Sequence, residues 1–187
     1  MSLKIVETAL PGVIIVELRQ FRDDRGVFFE AFRESEYAAA GIVGPFVQDN
    51  MSRSVRGTLR GLHFQEPNAQ GKLVQVMRGA VYDVAVDVRV GSPSFGRWVG
   101  VRLTEDEPRQ MWIPAGFAHG FCVLSDSADF FYKCTSYYAP ACEKTIVWND
   151  PALGIDWPVE APLLSPKDAA APTLEKIAGL PRYQPTL

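Results

Sequence analysis

The sequence contains few residues that could build a covalent or metal-bound framework. Only three of its 187 residues are cysteine and only two are histidine. Cys122, Cys134 and Cys142 are odd in number and form no C-x-x-C pair, which argues against both a disulfide framework and a zinc knuckle. Because this cysteine usage is typical of a reducing compartment, we expect a cytoplasmic protein.

Long apolar runs and an excess of positive charge are also lacking. No segment approaches the ~20 apolar residues that a membrane helix requires. Residues 1–7 are too short and too soon acidic to resemble a signal peptide. With 19 basic and 22 acidic residues, the formal net charge is -3, which disfavours non-specific nucleic-acid binding. We therefore expect neither a membrane nor a nucleic acid as a partner.

Short segments rich in β-branched and aromatic residues dominate the chain, and Gly, Pro, Asp and Ser separate them. They predict strands over residues 13–18, 28–32, 73–77, 81–89, 98–103, 110–113, 121–124 and 130–137, and short helices over 34–40 and 172–179. Valines alternate with Asp83 and Asp87, which predicts a half-buried strand with the aspartates on the face opposite the valines. The pattern indicates one all-β sandwich or barrel domain over residues 1–187.

The two histidines lie in distinctive contexts that resemble the two motifs of the cupin superfamily. Gly57 and His63 match the start of its first motif, G-x5-H-x-H, and Lys72 and Gly79 have the spacing of its E-x6-G continuation. The segment from Pro114 through Gly116 to His119 matches the second motif, P-x-G-x-x-H. The resemblance implies a double-stranded β-helix, or jelly roll, with a few short helices.

Two metal-ligand positions of the cupin motifs are changed in this chain. Gln65 replaces the second histidine of the first motif, and Lys72 replaces its glutamate. A cupin metal needs about three imidazoles and a carboxylate, and an ammonium group would repel a nearby cation. We therefore expect no metal. A lysine beside a histidine instead suits the stabilisation of an oxyanion such as an enolate.

Segments along most of the chain resemble the dTDP-4-dehydrorhamnose 3,5-epimerase family. They are RGVFFE (25–30), QDNMS (48–52), LRGLHFQ (59–65), QGKLV (70–74), GSPSFGRW (91–98), AHGF (118–121), YKCT (132–135), WNDP (148–151) and LSPKD (164–168). The resemblance implies an isomerase that inverts carbons 3 and 5 of dTDP-4-dehydro-6-deoxyglucose for dTDP-rhamnose synthesis. No cofactor is implied, because the 4-keto group already acidifies both neighbouring carbon–hydrogen bonds.

The resemblance assigns catalytic roles to four residues. His63 matches the family's base, for which a near-neutral imidazole pKa is suitable. Asp168 matches the carboxylate that pairs with this base, although 105 residues separate the two. Lys72 matches the group that stabilises the enolate, and Tyr132 matches the acid that reprotonates carbon from the opposite face.

Other residues are predicted to bind the nucleotide or the sugar. The pyrophosphate favours arginine, and Arg25 and Arg60 are the candidates, with the oxyanion as an alternative ligand of Arg60. Tyr138 is the candidate for stacking on thymine and Glu143 for contacting the base edge. His119 either contacts the ligand or orients a neighbouring group. The remaining pocket residues implied by the resemblance are Phe21, Phe28, Glu30, Gln48 and Asn50.

The resemblance also implies a homodimer that exchanges N-terminal strands, so that Arg25 and Phe28 complete the partner's site. Three alternatives remain open. Related epimerases act on carbon 3 only or on carbon 5 only, with much the same active-site groups. A metal-dependent cupin oxygenase or isomerase is disfavoured by Gln65 and Lys72. A non-catalytic sugar-binding cupin would not need the base and acid that His63 and Tyr132 provide.

Overall fold

The computed structural model describes residues 3–185, which form two packed antiparallel sheets, a separate hairpin and two short helices. Neither helix is long and apolar enough to cross a membrane, a statement that applies to this described range. The strands are β1 (Lys4–Glu7), β2 (Ile14–Glu17), β3 (Gln20–Asp23), β4 (Gly26–Phe29), β5 (Gln48–Val55), β6 (Leu59–Gln65), β7 (Lys72–Arg78), β8 (Ala80–Asp87), β9 (Trp98–Thr104), β10 (Arg109–Ile113), β11 (Phe117–Val123), β12 (Ser127–Cys134) and β13 (Glu143–Thr145). The helices are α1 (Glu34–Ala39) and α2 (Pro166–Ala169).

The sheet topology is that of a jelly roll, as the cupin motifs predicted. One sheet has the strand order β1-β2-β10-β7-β12-β5 and the other has the order β13-β6-β11-β8-β9. Within residues 3–185, strands β3 and β4 pair only with each other. A main apolar cluster that includes Val74, Met111 and Phe130 fills the space between the sheets.

The C-terminal segment covers the outer face of the five-stranded sheet. Trp157 and Leu174 pack there against Val84 and Val86 of β8. Both faces of this sheet are therefore buried, although the segment itself contains little regular structure. The predicted helix over 172–179 is wrong, because residues 174–176 form only a turn while Leu174 packs into the core.

Strand β8 departs from the half-buried pattern predicted for it. Asp83 and Asp87 are both 0% exposed. The valine face lies under the C-terminal segment, and the opposite face, which carries Asp83 and Ala85, points into the barrel. Alternation therefore identified the strand correctly but placed its polar face wrongly in solvent. Burial is possible because each aspartate has hydrogen-bond donors, His119 for Asp83 and Arg89, Ser92 and Ser94 for Asp87.

Two glycines allow β6 and β11 to approach closely. A Cβ atom on Gly61 would lie 2.5 Å from the Cα atom of Gly120, and the φ angle of Gly61 is +140°. The pairing register shifts at this point, since His63 faces His119 whereas Arg60 faces Phe121. Three residue steps on β6 thus match two on β11, as in a β-bulge. Arg60 and His63 consequently both line one cavity between the sheets, although regular alternation would place them on opposite faces.

We predict that Gly61→Ala destabilises the protein far more than Gly57→Ala. Both glycines have positive φ, which costs alanine about 1–2 kcal/mol, but a Cβ on Gly57 would meet nothing within 4 Å. Overpacking against Gly120 adds about 1–3 kcal/mol for Gly61. Urea unfolding of the two variants measures the difference, and equal losses of unfolding free energy would contradict the close-approach role of Gly61.

Candidate active site

A cavity of about 320 Å³ opens between the two sheets and collects most of the predicted site residues. Strands β5, β7 and β12 contribute one wall, and β6, β11 and β13 contribute the other. The predicted residues that line it are Gln48, Asn50, Arg60, His63, Lys72, His119, Tyr132, Tyr138 and Glu143.

His63 forms a hydrogen-bonded pair with Asp168. The His63 Nε2 and Asp168 Oδ1 atoms are 2.6 Å apart. Asp168 lies on α2, whose start is fixed by the Ser165 side chain accepting a hydrogen bond from the Asp168 backbone N–H. Burial tends to raise the pKa of Asp168, but the hydrogen bond and charge of His63 outweigh it and keep that pKa below its usual value. Asp168 therefore remains an anion that orients the imidazole.

A second histidine–carboxylate pair lies directly beside the first. His119 is the Cα partner of His63 across β6 and β11, and its Nε2 atom is 3.0 Å from Asp83 Oδ2. Burial lowers the pKa of His119 and raises the pKa of Asp83. A neutral His119 with its proton on Nε2 donates to Asp83 and leaves Nδ1 as an acceptor.

Lys72 is a buried amine without a hydrogen-bonding partner. Its residue is only 9% exposed, and its Nζ atom makes no hydrogen bond or ion pair to any residue between 3 and 185. Burial lowers the pKa of Lys72, and the charge of Asp83 partly opposes this effect. Because burying an uncompensated cation is costly, this position favours an anionic group in the cavity.

Tyr132 projects from β12, where it pairs with Asn50 on one side and Val74 on the other. Burial raises the pKa of Tyr132 above the usual phenol value. The phenol is therefore protonated at neutral pH and can donate a proton.

The cavity rim is held by a chain of polar contacts. Gln48 Oε1 accepts a hydrogen bond of 2.7 Å from the Tyr138 backbone N–H. The Tyr138 hydroxyl donates to Glu143 Oε2 at 3.0 Å, and Lys167 Nζ donates to Glu143 Oε1 at 2.8 Å. Burial tends to raise the pKa of Glu143, but the hydrogen bonds from Lys167 and Tyr138 outweigh it and hold that pKa low.

Four predicted site residues lie on or next to the β3–β4 hairpin and do not line this cavity. Phe28 is 68% exposed and Phe21 is also exposed. Arg25 pairs with Asp23, and Glu30 pairs with Arg33. Their roles in ligand binding stay predictions, as does the contribution of Arg25 and Phe28 to a partner's site.

Comparison with known proteins identifies the family to which the chain belongs. The family model described as dTDP-4-dehydrorhamnose 3,5-epimerase matches residues 7–176. The chain belongs to this family. It is 59% identical over 168 residues to the dTDP-4-dehydrorhamnose 3,5-epimerase of Pseudomonas aeruginosa, covering 89% of this chain and 93% of that protein. It is 51% identical over 181 residues to the Escherichia coli enzyme, covering 95% and 98% of the two chains.

Solved structures of family members have the same fold. The Legionella pneumophila dTDP-6-deoxy-D-glucose-3,5-epimerase, in complex with dTDP-4-keto-L-rhamnose, is 54% identical and superimposes with a TM-score of 0.96 over 98% of this chain and all of that one. A 3'-monoepimerase from Streptomyces bikiniensis in complex with dTDP-quinovose is 42% identical, with a TM-score of 0.88 over 94% of this chain and 92% of that one.

The metal site typical of cupins does not fit this dTDP-sugar epimerase chain. No group of three or more His, Cys, Asp or Glu side chains among the described residues could hold a metal ion. Each cavity histidine is already bound to a carboxylate, and Lys72 occupies the position of the cupin glutamate. Gln65 Nε2 donates instead to the backbone oxygens of Asn68 and Tyr137.

Several residues around the epimerase cavity were missed from the sequence. Asp83 was predicted on the polar face of a half-buried strand, but it is buried and hydrogen-bonded to His119, whose Cα partner on β8 is Ala85. Ser54 Oγ accepts a hydrogen bond of 3.2 Å from Arg60 Nε, and Ser52 lines the cavity. The regular spacing of Gln48, Asn50, Ser52 and Ser54 was the available signal. The segment that forms β5 was not predicted to be a strand, because it contains few apolar residues.

We predict that Asp168→Asn lowers kcat by at least about 100-fold, because a neutral amide stabilises the charged imidazole less well. Affinity for dTDP is expected to change little, because Asp168 is not one of the residues that line the cavity. Asp126→Asn provides the control, because Asp126 is an exposed residue that pairs with Arg56. Near-normal turnover in Asp168→Asn would contradict the orienting role.

Proposed function

We propose that this protein is a dTDP-4-dehydrorhamnose 3,5-epimerase, which converts dTDP-4-dehydro-6-deoxyglucose to dTDP-4-dehydro-L-rhamnose. The observation that carries the proposal is the cavity shared by an oriented base, an unpaired buried amine and a protonated phenol, namely His63, Lys72 and Tyr132. The L. pneumophila relative, whose ligand is dTDP-4-keto-L-rhamnose, supports this substrate class.

The same three groups account for each inversion. His63 takes a proton from a carbon next to the 4-keto group, and the C–H electron pair forms an enolate whose charge rests on the keto oxygen. Lys72, in its ammonium form, stabilises this oxygen in a site with little water. Tyr132 donates its proton to the opposite face of the carbon. His63 has then gained one proton and Tyr132 has lost one, and both return to their starting states by exchange with water.

The rim residues suit the nucleotide. Tyr138 offers an exposed aromatic ring for stacking on thymine. The Glu143 carboxylate accepts a hydrogen bond from the Tyr138 hydroxyl and lies beside this ring. Arg60 offers a guanidinium for the pyrophosphate or for the enolate. The reaction as proposed requires no cofactor, because the substrate already contains the keto group that acidifies both carbons. A cytoplasmic location accords with the three free cysteines.

A single epimerisation is the second candidate. The S. bikiniensis 3'-monoepimerase has a TM-score of 0.88 to this chain. The same base and acid can serve one carbon or two, so the placement of the sugar determines the outcome.

We predict that incubation with dTDP-4-dehydro-6-deoxyglucose in deuterium oxide introduces deuterium at both carbon 3 and carbon 5. Each abstracted proton is replaced by one drawn from solvent, and NMR of the product identifies the labelled carbons. Deuterium at one carbon alone would support the monoepimerase, and absence of label at either carbon would overturn the epimerase proposal for this substrate.

Two variants separate the roles within this experiment. His63→Ala is expected to abolish exchange at both carbons while retaining dTDP binding, because it removes the only proposed base. Tyr132→Phe is expected to reduce inversion more than exchange, since abstraction can proceed without the opposite-face donor. Equal losses of inversion and exchange in Tyr132→Phe would assign Tyr132 another role.

We further propose a homodimer in which the β3–β4 hairpin of each chain completes the partner's cavity. The support is the hairpin itself, which pairs with neither main sheet and exposes Phe21, Val27 and Phe28. Such apolar exposure is typical of a surface that another chain covers. In this arrangement Arg25 contacts the pyrophosphate bound by the partner, and Phe28 contacts its nucleotide.

Mixing two inactive variants tests this exchange. Arg25→Ala and His63→Ala homodimers are both expected to lose most activity, the first through binding and the second through the base. If a site combines Arg25 of one chain with His63 of the other, a mixed dimer retains one intact site in two. Refolding the variants together should then restore activity to about a quarter of the wild-type level, because half of the randomly formed dimers are mixed. No recovery, with mixed dimers verified by mass, would contradict the exchange.

A further inference from the structure

Ser52 is a cavity residue whose hydroxyl group has no partner. The residue lines the cavity from β5, and its Oγ atom is buried without a hydrogen bond to any residue in the described range 3–185. A buried hydroxyl without a partner is destabilising, and in native proteins such groups are usually satisfied. The roles given above to the base, the acid and the rim do not use this group.

The other polar side chains on the same face of β5 all form hydrogen bonds with protein atoms. Gln48 binds the Tyr138 backbone N–H and donates to Asn50 Oδ1 at 2.9 Å. Asn50 donates to Cys134 Sγ at 3.6 Å. Ser54 Oγ accepts from the Arg60 guanidinium at 3.2 Å. Ser52 is therefore the member of this row whose hydrogen-bonding capacity remains free for a ligand.

The position of Ser52 along β5 points to the sugar rather than to the nucleotide. Gln48 marks the rim through Tyr138, and Ser52 lies four residues further along the strand, about 13 Å away. Its Cα partner on β12 is Phe130, and the partner of Asn50 is Tyr132. Ser52 is thus the diagonal neighbour of Tyr132, a distance that a long side chain can span. On its other side, Ser54 fixes Arg60.

We propose that Ser52 is a substrate-positioning residue, whose hydroxyl forms a hydrogen bond with an oxygen of the sugar and holds the ring against Tyr132. The inference rests on the proposed function, because it requires a dTDP-linked sugar in the cavity. The serine hydroxyl moves among three staggered χ1 positions, so a sugar oxygen at the cavity wall can supply the missing partner. The bond forms only when the sugar moiety is present.

The test compares two ligands and two variants by calorimetric titration. Ser52→Ala is expected to weaken binding of dTDP-rhamnose about three- to tenfold, the effect of one hydrogen bond, and to leave the affinity for dTDP unchanged. Ser52→Thr is the matched control, because it retains the hydroxyl and a β-branched residue is well tolerated in a strand. We expect it to restore most of the affinity for the sugar ligand.

Turnover in deuterium oxide adds a second measurement. Ser52→Ala is expected to lower the fraction of deuterated product that has been inverted, because a loosely held ring is reprotonated less selectively by Tyr132. Unchanged dTDP-rhamnose affinity, or an equal loss for dTDP and dTDP-rhamnose, would overturn the inference. Those results leave the epimerase proposal intact as long as the wild-type protein introduces deuterium, so the two failures are distinguishable.

Discussion

The structure depends on burying ionisable groups inside a small β-barrel without leaving them unsatisfied. Asp83 and Asp168 are almost completely enclosed, and each is bound to a histidine. An isolated carboxylate there would be strongly disfavoured. The pairing makes the charges tolerable and also fixes the orientation of both imidazoles. Stability and readiness for proton transfer therefore arise from the same contacts.

Lys72 is the exception to this compensation. Its amine lies in the same interior without a hydrogen bond or ion pair to any described residue. A fully compensated amine would gain little from a negative charge that develops on a ligand. The free protein thus lacks the interaction that an enolate would provide, and electrostatic stabilisation is concentrated on the intermediate.

Motifs in the sequence predicted the fold class and the cavity residues. They did not predict which faces of the strands are buried. The spacing around His63 and His119 indicated a jelly roll, and Lys72 argued against a cupin metal site. Alternation in β8 identified a strand but could not show that the C-terminal segment covers its valine face, because that contact joins distant parts of the chain. Strand β5 was missed because a strand that lines a polar cavity lacks the apolar periodicity used to recognise strands. The pairing of His63 with Asp168 came from family resemblance, since no local pattern relates residues 105 positions apart.

The location of Asp168 also relates the site to the order in which the chain is made. The barrel strands that contain His63, Lys72, His119 and Tyr132 are all synthesised before α2, which contributes the orienting carboxylate. The segment that carries α2 also covers the valine face of the five-stranded sheet. A nascent chain that has emerged only as far as β13 therefore has the base without its orienting partner and an uncovered apolar surface. Completion of the active site and protection from aggregation occur in the same late step of biosynthesis.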